Sequence, residues 1–213
     1  MRCLRATQAN WPLEEVMKTI ELHTDEYNVH VTYPEYFLSG QTLYVFNIAI
    51  SVEIHKYVGT FIDEATKLMQ SNERKSELIG EHTTYTAFNR YITIKVDFYT
   101  YLGGIHPDHH ILTLTFDTFT NTIISLTDLW GTDTNKLEQL SILVERALFE
   151  KYPELNFAFN DPIYRNGFAP KEKNFQYWAL TDHGFIFFFP EYQVAPYAAG
   201  TLSVEIPFAY IMG

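Results

Sequence analysis

Three histidines and one aspartate fall within the five residues His106-Pro107-Asp108-His109-His110. Such a cluster invites a metal, since imidazole is a common ligand and zinc takes three or four side-chain donors. The spacing argues otherwise. There is no HExxH pattern, and Pro107 keeps His106 and His110 off a shared helical face. If His109 and His110 open a strand they point to opposite faces, so at most one of them joins His106. The expected role is a structural loop with His106 held by hydrogen bonds and no metal. A metal-dependent hydrolase centred on His106 and His109 is the alternative. Gly103 and Gly104, just upstream, are expected to supply positive φ or close backbone approach after a strand bearing Tyr99 and Tyr101.

Other chemistries find less support. No GxSxG nucleophile motif occurs, and the single cysteine, Cys3, is terminal, which excludes an internal disulfide framework. Gly103-Gly104 does not lead into a helix, so it is no phosphate cradle. No carboxylate pair stands out for glycoside chemistry. Catalytic residues and cofactors are therefore expected to be none. A second unusual segment runs from Phe189 to Gly200, with Pro190, Tyr192, Pro196 and Tyr197 followed by Ala198-Ala199-Gly200. It reads either as a rigid crossover or as a preorganised recognition loop, because Tyr gives large contact area at low entropy cost.

These segments sit in a chain of 213 residues with net charge −11, 46% hydrophobic and 19% charged residues, an ordinary globular composition. The length fits one domain or two small ones sharing a core. Basic residues are scattered, with Arg74-Lys75 as the adjacent pair, so nucleic acid is not an expected partner. No run of about 18 apolar residues predicts a membrane-spanning helix. The start lacks a signal-peptide core, so the chain is read as cytoplasmic or as trimmed of an export or anchor segment. Aromatic residues reach 16%, as suits a β-rich core.

The elements that must position the two segments follow from periodicity. Residues 1–18 read as a tail, with a short helix near Leu13 to Met17. A hairpin is predicted from Ile20 to Tyr36 around Asp25-Glu26, with Pro34 near its end. Residues 43–69 carry the longest helical stripe, through Leu43, Phe46, Ile50, Ile54, Tyr57, Phe61, Ala65 and Leu68, with Thr42 as N-cap. Residues 71–80 read as a charged connector. Strands follow at 82–88, 90–101, 109–116 and 122–125, with a turn from Asp117 to Asn121. A second helix spans 135–151, opened by an Asn135/Glu138 capping box. A hairpin at 175–180 and 185–189, and a strand at 201–206, close the chain. Phe185 to Phe189 is apolar on both faces and so is expected to be central. The order contains no βαβ alternation and predicts an α+β fold, two helices on one largely antiparallel sheet with one continuous core. The expected divisions are a tail at 1–18, an N-terminal half at 19–108 and a C-terminal half at 109–213.

The two segments together resemble a known family. Tyr99, Tyr101, Gly103, Gly104, His106, Pro107, Asp117, Leu126, Asp128, Leu129 and Trp130, then Pro190, Tyr192, Pro196, Tyr197, Gly200, Ile206 and Pro207, match the pattern of RsiV-type C-terminal domains. That domain also accompanies the peptidoglycan deacetylase PdaC. The stretch from Tyr33-Pro34 to Asn47-Ile48 resembles the domain of unknown function that usually precedes it. The deacetylase's catalytic motifs have no counterpart, nor have the sigma-binding segment and membrane helix of the anti-sigma factor. The resemblance therefore implies a non-enzymatic, extracytoplasmic binding domain of the cell envelope, whose partner is lysozyme or a peptidoglycan-related ligand. Its implied surface comprises Tyr99, Tyr101, Gly103, Gly104, His106, Pro107, Pro190, Tyr192 and Tyr197. An intracellular structural protein is a further alternative. A charge of −11 would favour a basic partner such as lysozyme.

Overall fold

A computed structural model describes residues 11–69, 75–131 and 134–210. Cys3 lies outside these residues. The chain opens on a long hairpin of β1 (Leu13–His23) and β2 (Tyr27–Leu38), paired antiparallel from Leu13↔Leu38 to His23↔Asn28. The Asp25-Glu26 turn is where the sequence predicts it, held by the Thr24 hydroxyl, which accepts from the Glu26 and Tyr27 amides. The expected tail and short helix at 13–18 are instead part of β1. Its side chains are mostly exposed, so the strand is fixed by its backbone ladder along β2 and needs no apolar face to announce it. β2 also runs on past Pro34 to Leu38.

β3 (Gln41–Thr42) folds back on the end of β2 and takes up the expected capping residue Thr42. Helix α1 (Tyr44–Met69) follows. Phe46, Ile50, Ile54, Phe61 and Ala65 are buried along the predicted stripe, and Val58 joins them, while Leu68 stays exposed. Asn47, which the helical wheel places on the polar face, docks the helix: its Nδ2 donates to the Tyr36 carbonyl and its Oδ1 accepts from the Tyr36 amide.

β4 (Ser76–Ala87) pairs parallel with β2 from Tyr27↔Ser76 to Val31↔Gly80. Two expectations are corrected here. Residues 76–80 are strand rather than connector, and β2-α1-β4 is a crossover unit in a chain read as having none. The reason is shared: parallel neighbours require a long connection, and α1 supplies it. The charged residues near 71–77 hide the inward alternation of Ser76, Leu78 and Gly80.

β5 (Tyr91–Tyr101), β6 (Asp108–Asp117) and β7 (Thr122–Ile124) complete a seven-stranded sheet in the order β1-β2-β4-β5-β6-β7, with β3 on β2. β6 begins at Asp108 and pairs with β5 along its length, so the two halves of the sequence meet inside one sheet. Asn121 takes the left-handed conformation the turn requires, with φ of 58°. Helix α2 (Leu126–Trp130), absent from the sequence reading, is opened by a capping box between Ser125 and Asp128. α3 (Thr134–Lys151) buries Leu140, Val144 and Leu148. Short helices α4 (Asn156–Phe159) and α5 (Pro162–Arg165) lead to β8 (Trp178–Leu180), β9 (Gly184–Phe189) and β10 (Leu202–Pro207). These form a second sheet with β9 in the middle, as its doubly apolar run predicts.

The α+β class and the antiparallel bias stand, but the strands divide between two sheets and each main helix packs on its own. One core joins α1 to Val29, Val31, Leu78, Ile92, Ile94, Val96, Phe98 and Phe116. The other joins α3 to Phe185, Phe187, Phe189, Leu202, Val204 and Ile206. Between the sheets lie Ile111, Ala179 and Phe188. There Thr93 Oγ1 bonds Thr115 Oγ1 and accepts from the Leu180 amide. Lys95, paired with Asp97, lays its ammonium over the Phe188 ring. The layers therefore run α1, large sheet, small sheet, α3.

Two groups tie this fold to pH. Asp117, buried at the β6–β7 turn, accepts from Arg90 Nε at 2.9 Å and Nη2 at 2.5 Å and from the Phe119 amide. The Arg90 guanidinium holds its pKa at about 2. Its stabilisation is complete above the unfolded value of about 3.9 and is lost as pH falls towards 2. Asp117→Ala is expected to cost about 2–3 kcal/mol in urea titrations at neutral pH, and to flatten the loss of stability between pH of about 4 and 2.

His110 is the second group. It stacks on Tyr57 at 4.9 Å, and burial lowers its pKa. The unfolded chain therefore binds the proton more readily, so stability should fall as pH drops below about 6.5. His110→Gln is expected to reduce that slope in melts between neutral and mildly acidic pH. An unchanged slope would remove His110 as its source.

Candidate functional site

The two segments singled out by the sequence, about 90 residues apart in the chain, meet at one end of β5. β5 ends at Tyr101 and β6 begins at Asp108, so the Gly103–Pro107 loop is the hairpin connection between them. The Pro190–Gly200 loop joins β9 to β10 of the small sheet. The layering brings the two loops edge to edge. The Tyr197 hydroxyl donates to the Pro107 carbonyl at 2.9 Å, and the His106 ring lies over Tyr197 with centroids 4.1 Å apart. The Tyr192 ring also contacts Tyr197, with centroids 5.7 Å apart.

Each loop is fixed from beneath. Val194 and Ala195 are buried in the α3 core. Gln193 Nε2 donates to the carbonyls of Gly167 and Asn174. The Gln193 carbonyl passes so close to Gly167 that a Cβ there would fall 1.8 Å from its oxygen, a contact only glycine permits. Of the paired glycines in the other loop, Gly103 has φ of 79° as expected. Gly104 needs no such freedom, since a Cβ there would first meet the His106 carbonyl at 3.8 Å.

Behind the rings is a polar layer. Tyr99 packs edge-on against His109 at 5.5 Å, and His109 Nδ1 is 3.8 Å from Glu191 Oε1. The Glu191 side chain is only 9% exposed. Burial raises its pKa and Asp108 adds to that, while His109 and His106 oppose it. Partial burial raises the pKa of Tyr197, and Glu191 and Asp108 reinforce the shift. His106 Nδ1 is 3.0 Å from the Pro107 carbonyl. Glu191 is the residue the sequence reading passed over. Its signal was an acid between Pro190 and Tyr192 at the exit of a buried strand.

Of the nine residues expected to form the surface, Tyr99, His106, Pro107, Tyr192 and Tyr197 are in this cluster by direct contact, with Pro190 adjoining Glu191 in the chain. Gly103 and Gly104 shape the loop. Tyr101 lies opposite Glu77 across the β4–β5 ladder. His109 and His110 do diverge, the one towards Glu191 and the other into the α1 face against Tyr57 and Phe98. Among the described residues, no three His, Cys, Asp or Glu side chains converge as a metal site would need. The arrangement offers exposed aromatic faces, phenol and imidazole donors, and a recessed carboxylate, a chemistry suited to gripping a partly polar ligand.

The comparisons with known proteins fit this architecture. Residues 127–209 match a family described as "Protein of unknown function (DUF3298)". The chain is 27% identical over 152 residues to the peptidoglycan-N-acetylmuramic acid deacetylase PdaC of Bacillus subtilis, a match covering 71% of this chain but only 32% of PdaC. It is 25% identical over 197 residues to the immunogenic protein MPT64 of Mycobacterium tuberculosis, covering 88% of this chain and 78% of that one. Crystal structures of DUF3298 family proteins from Pseudomonas aeruginosa and Bacteroides fragilis each superpose with a TM-score of 0.65, at 13% and 16% identity. The first covers 96% of this chain and 94% of its own, the second 95% and 92%. No helix among the described residues is long and apolar enough to cross a membrane. Residues 127–209 are thus similar to the DUF3298 family, within a fold that resembles solved proteins of that family.

Proposed function

We propose that this chain is a non-enzymatic binding module of the bacterial cell envelope, acting outside the cytoplasm, and that it recognises a peptidoglycan-related ligand through the His106–Tyr192–Tyr197 surface. The observation that carries the reading is the convergence of two remote loops into one exposed aromatic cluster, with Tyr192 55% exposed at its edge. Aromatic rings backed by fixed polar groups are the usual anchors of recognition surfaces. Both loops are held from beneath, so little entropy is lost on binding. The similarity to PdaC, named for action on peptidoglycan, supplies the ligand class. The polar groups of the cluster, His106, Glu191 and the Tyr192 hydroxyl, suit a hydroxyl- and amide-rich saccharide or stem peptide.

A second reading, the RsiV-type one, takes a basic protein such as lysozyme as the ligand. The net charge of −11 favours it, because opposite net charge speeds association. The two readings differ in salt dependence, since attraction between net charges is screened over about 8–10 Å at physiological ionic strength.

The test is cosedimentation with insoluble peptidoglycan beside a titration with lysozyme, each at low and high salt. Retention on peptidoglycan that is insensitive to salt is expected. Salt-sensitive binding to lysozyme alone would move the assignment to the second reading. Tyr192→Ala should weaken binding by about tenfold or more, since truncating an anchoring aromatic costs about 2 kcal/mol, with no change in melting temperature. Tyr197→Phe, which loses only the bond to Pro107, should lower stability by about 1 kcal/mol. Full binding by Tyr192→Ala would take this surface out of the site.

A further inference from the structure

The opposite end of β5 carries a second concavity, which the loop site does not use. The hairpin Ala87–Tyr91 and the loop site lie at the two ends of an 11-residue strand, about 30 Å apart at 3.3 Å per residue. Here the end of the large sheet meets α2, the start of α3 and the β8–β9 hairpin. They enclose a cavity of about 530 Å³, within the range of about 300–1,000 Å³ typical of small-molecule sites. Its walls are aromatic, formed by Phe88, Tyr91, Trp130, Phe185 and Phe208.

The charged groups among the described residues of its lining are of one sign. Arg90 and Lys136 line the cavity beside Gln139, and among the described residues no Asp or Glu does so, although acids outnumber bases by 26 to 15 in the chain. Arg90 gives Nε and Nη2 to Asp117, and its Nη1 donates to no described residue, while its guanidinium is sandwiched near the Tyr91 and Phe119 rings at 4.8 and 5.2 Å. It is therefore rigidly aimed. Lys136 forms no ion pair with a described residue. Its side chain lies along Gly131, where a Cβ would come within 3.2 Å of Nζ.

The rim is also strained. Phe88 and Asn89 have φ of 56° and 49°, the geometry of a type I′ turn, which favours Asn and Gly at both positions. A phenylalanine there costs about 1–3 kcal/mol, and such outliers gather at ligand sites. Phe88 is 52% exposed, and its ring is tilted against Phe208 at 5.6 Å, both lining the cavity. Its amide is pinned by Asp182 Oδ1 at 2.6 Å.

From this combination we infer that the cavity is a binding site for a small amphiphilic carboxylate, its apolar body between the aromatic walls and its carboxylate at Lys136 and Arg90 Nη1. The free acid could come from an acyl chain or from an arylalkanoate, so the probes are decanoate and phenylbutyrate. Decyltrimethylammonium serves as the charge-reversed control. Trp130 and its neighbours give the readout, intrinsic fluorescence, with calorimetry for stoichiometry.

The expected result is saturable binding of one equivalent of at least one carboxylate. The ammonium amphiphile should bind at least about tenfold more weakly, and Lys136→Met, which alters a surface side chain, should lose a similar factor, the loss of one charge-assisted hydrogen bond. Leu129→Trp, which fills the cavity, should abolish binding while a thermal melt confirms folding. If Leu129→Trp fails to fold, Lys136→Met and the control amphiphile decide the matter. Equal affinity for both head-group charges, full binding by Lys136→Met, or no binding of either acid at about 1 mM would overturn the site. Preference for one acid over the other identifies the source.

Discussion

Strand β5 is buried on both faces, and the rest of the molecule is arranged around that fact. Ile92, Ile94, Val96 and Phe98 face α1 and are almost wholly inaccessible. Thr93 and Lys95, on the other face, are also buried, although both are polar. A hydroxyl and an ammonium withdrawn from water destabilise a fold unless they are paired. Thr93 is satisfied by Thr115 and by the Leu180 amide, and Lys95 by Asp97 and the Phe188 ring. The Leu180 bond and the Phe188 contact reach from the large sheet to the small one, so the second layer answers part of the polarity of the first. Two sheets whose facing surfaces were merely apolar could slide on one another. Directional bonds at Thr93 and Thr113 fix the edge of β8 in one register.

That register places both loops of the candidate site. Tyr197 and the His106-Pro107 segment belong to different layers and are joined by one hydrogen bond to the Pro107 carbonyl and a ring contact with His106. Neither would bring the loops together unless the sheets already held them there. The same logic explains the position of α1. A parallel pair cannot be closed by a tight turn, so the helix crosses over from β2 to β4 and covers the face of β5 that the small sheet leaves open.

How far the sequence reveals this depends on the range of the interaction. Elements with local periodicity were legible: the stripe of α1, the alternation of β5, the doubly apolar β9, and the turn at Asn121. The two loops were legible as segments because Gly-Gly, Pro and Tyr are rare in such density. What escaped depends on partners distant in the chain. β1 is largely exposed and held by backbone bonds, which no side-chain pattern reports. Asn47 looked like a solvent-facing helix residue because its partner, Tyr36, lies across a turn. The start of β4 looked like a linker because parallel pairing leaves no turn to mark it. Glu191 was in view, but its place beside His109 depends on the contact between layers, which periodicity does not encode.

Two aromatic residues with positive φ connect architecture to function. Phe88 and Tyr192 stand where Gly or Asn would sit without strain, at opposite ends of the molecule. Each conformation is imposed from outside. Asp182 holds the Phe88 amide, and the anchored Gln193 and buried Val194 hold the chain beyond Tyr192. A fold needing only the turn would lose nothing by a smaller residue and would gain the strain energy, about 1–3 kcal/mol at each position. In both places the ring is more than half exposed and contributes little to either core. What it does contribute is a large apolar surface directed at a concavity or at a neighbouring ring. Strain carried by a side chain that does little for packing is accounted for by what that side chain presents to a ligand, and this separates these two turns from the other tight connections of the fold.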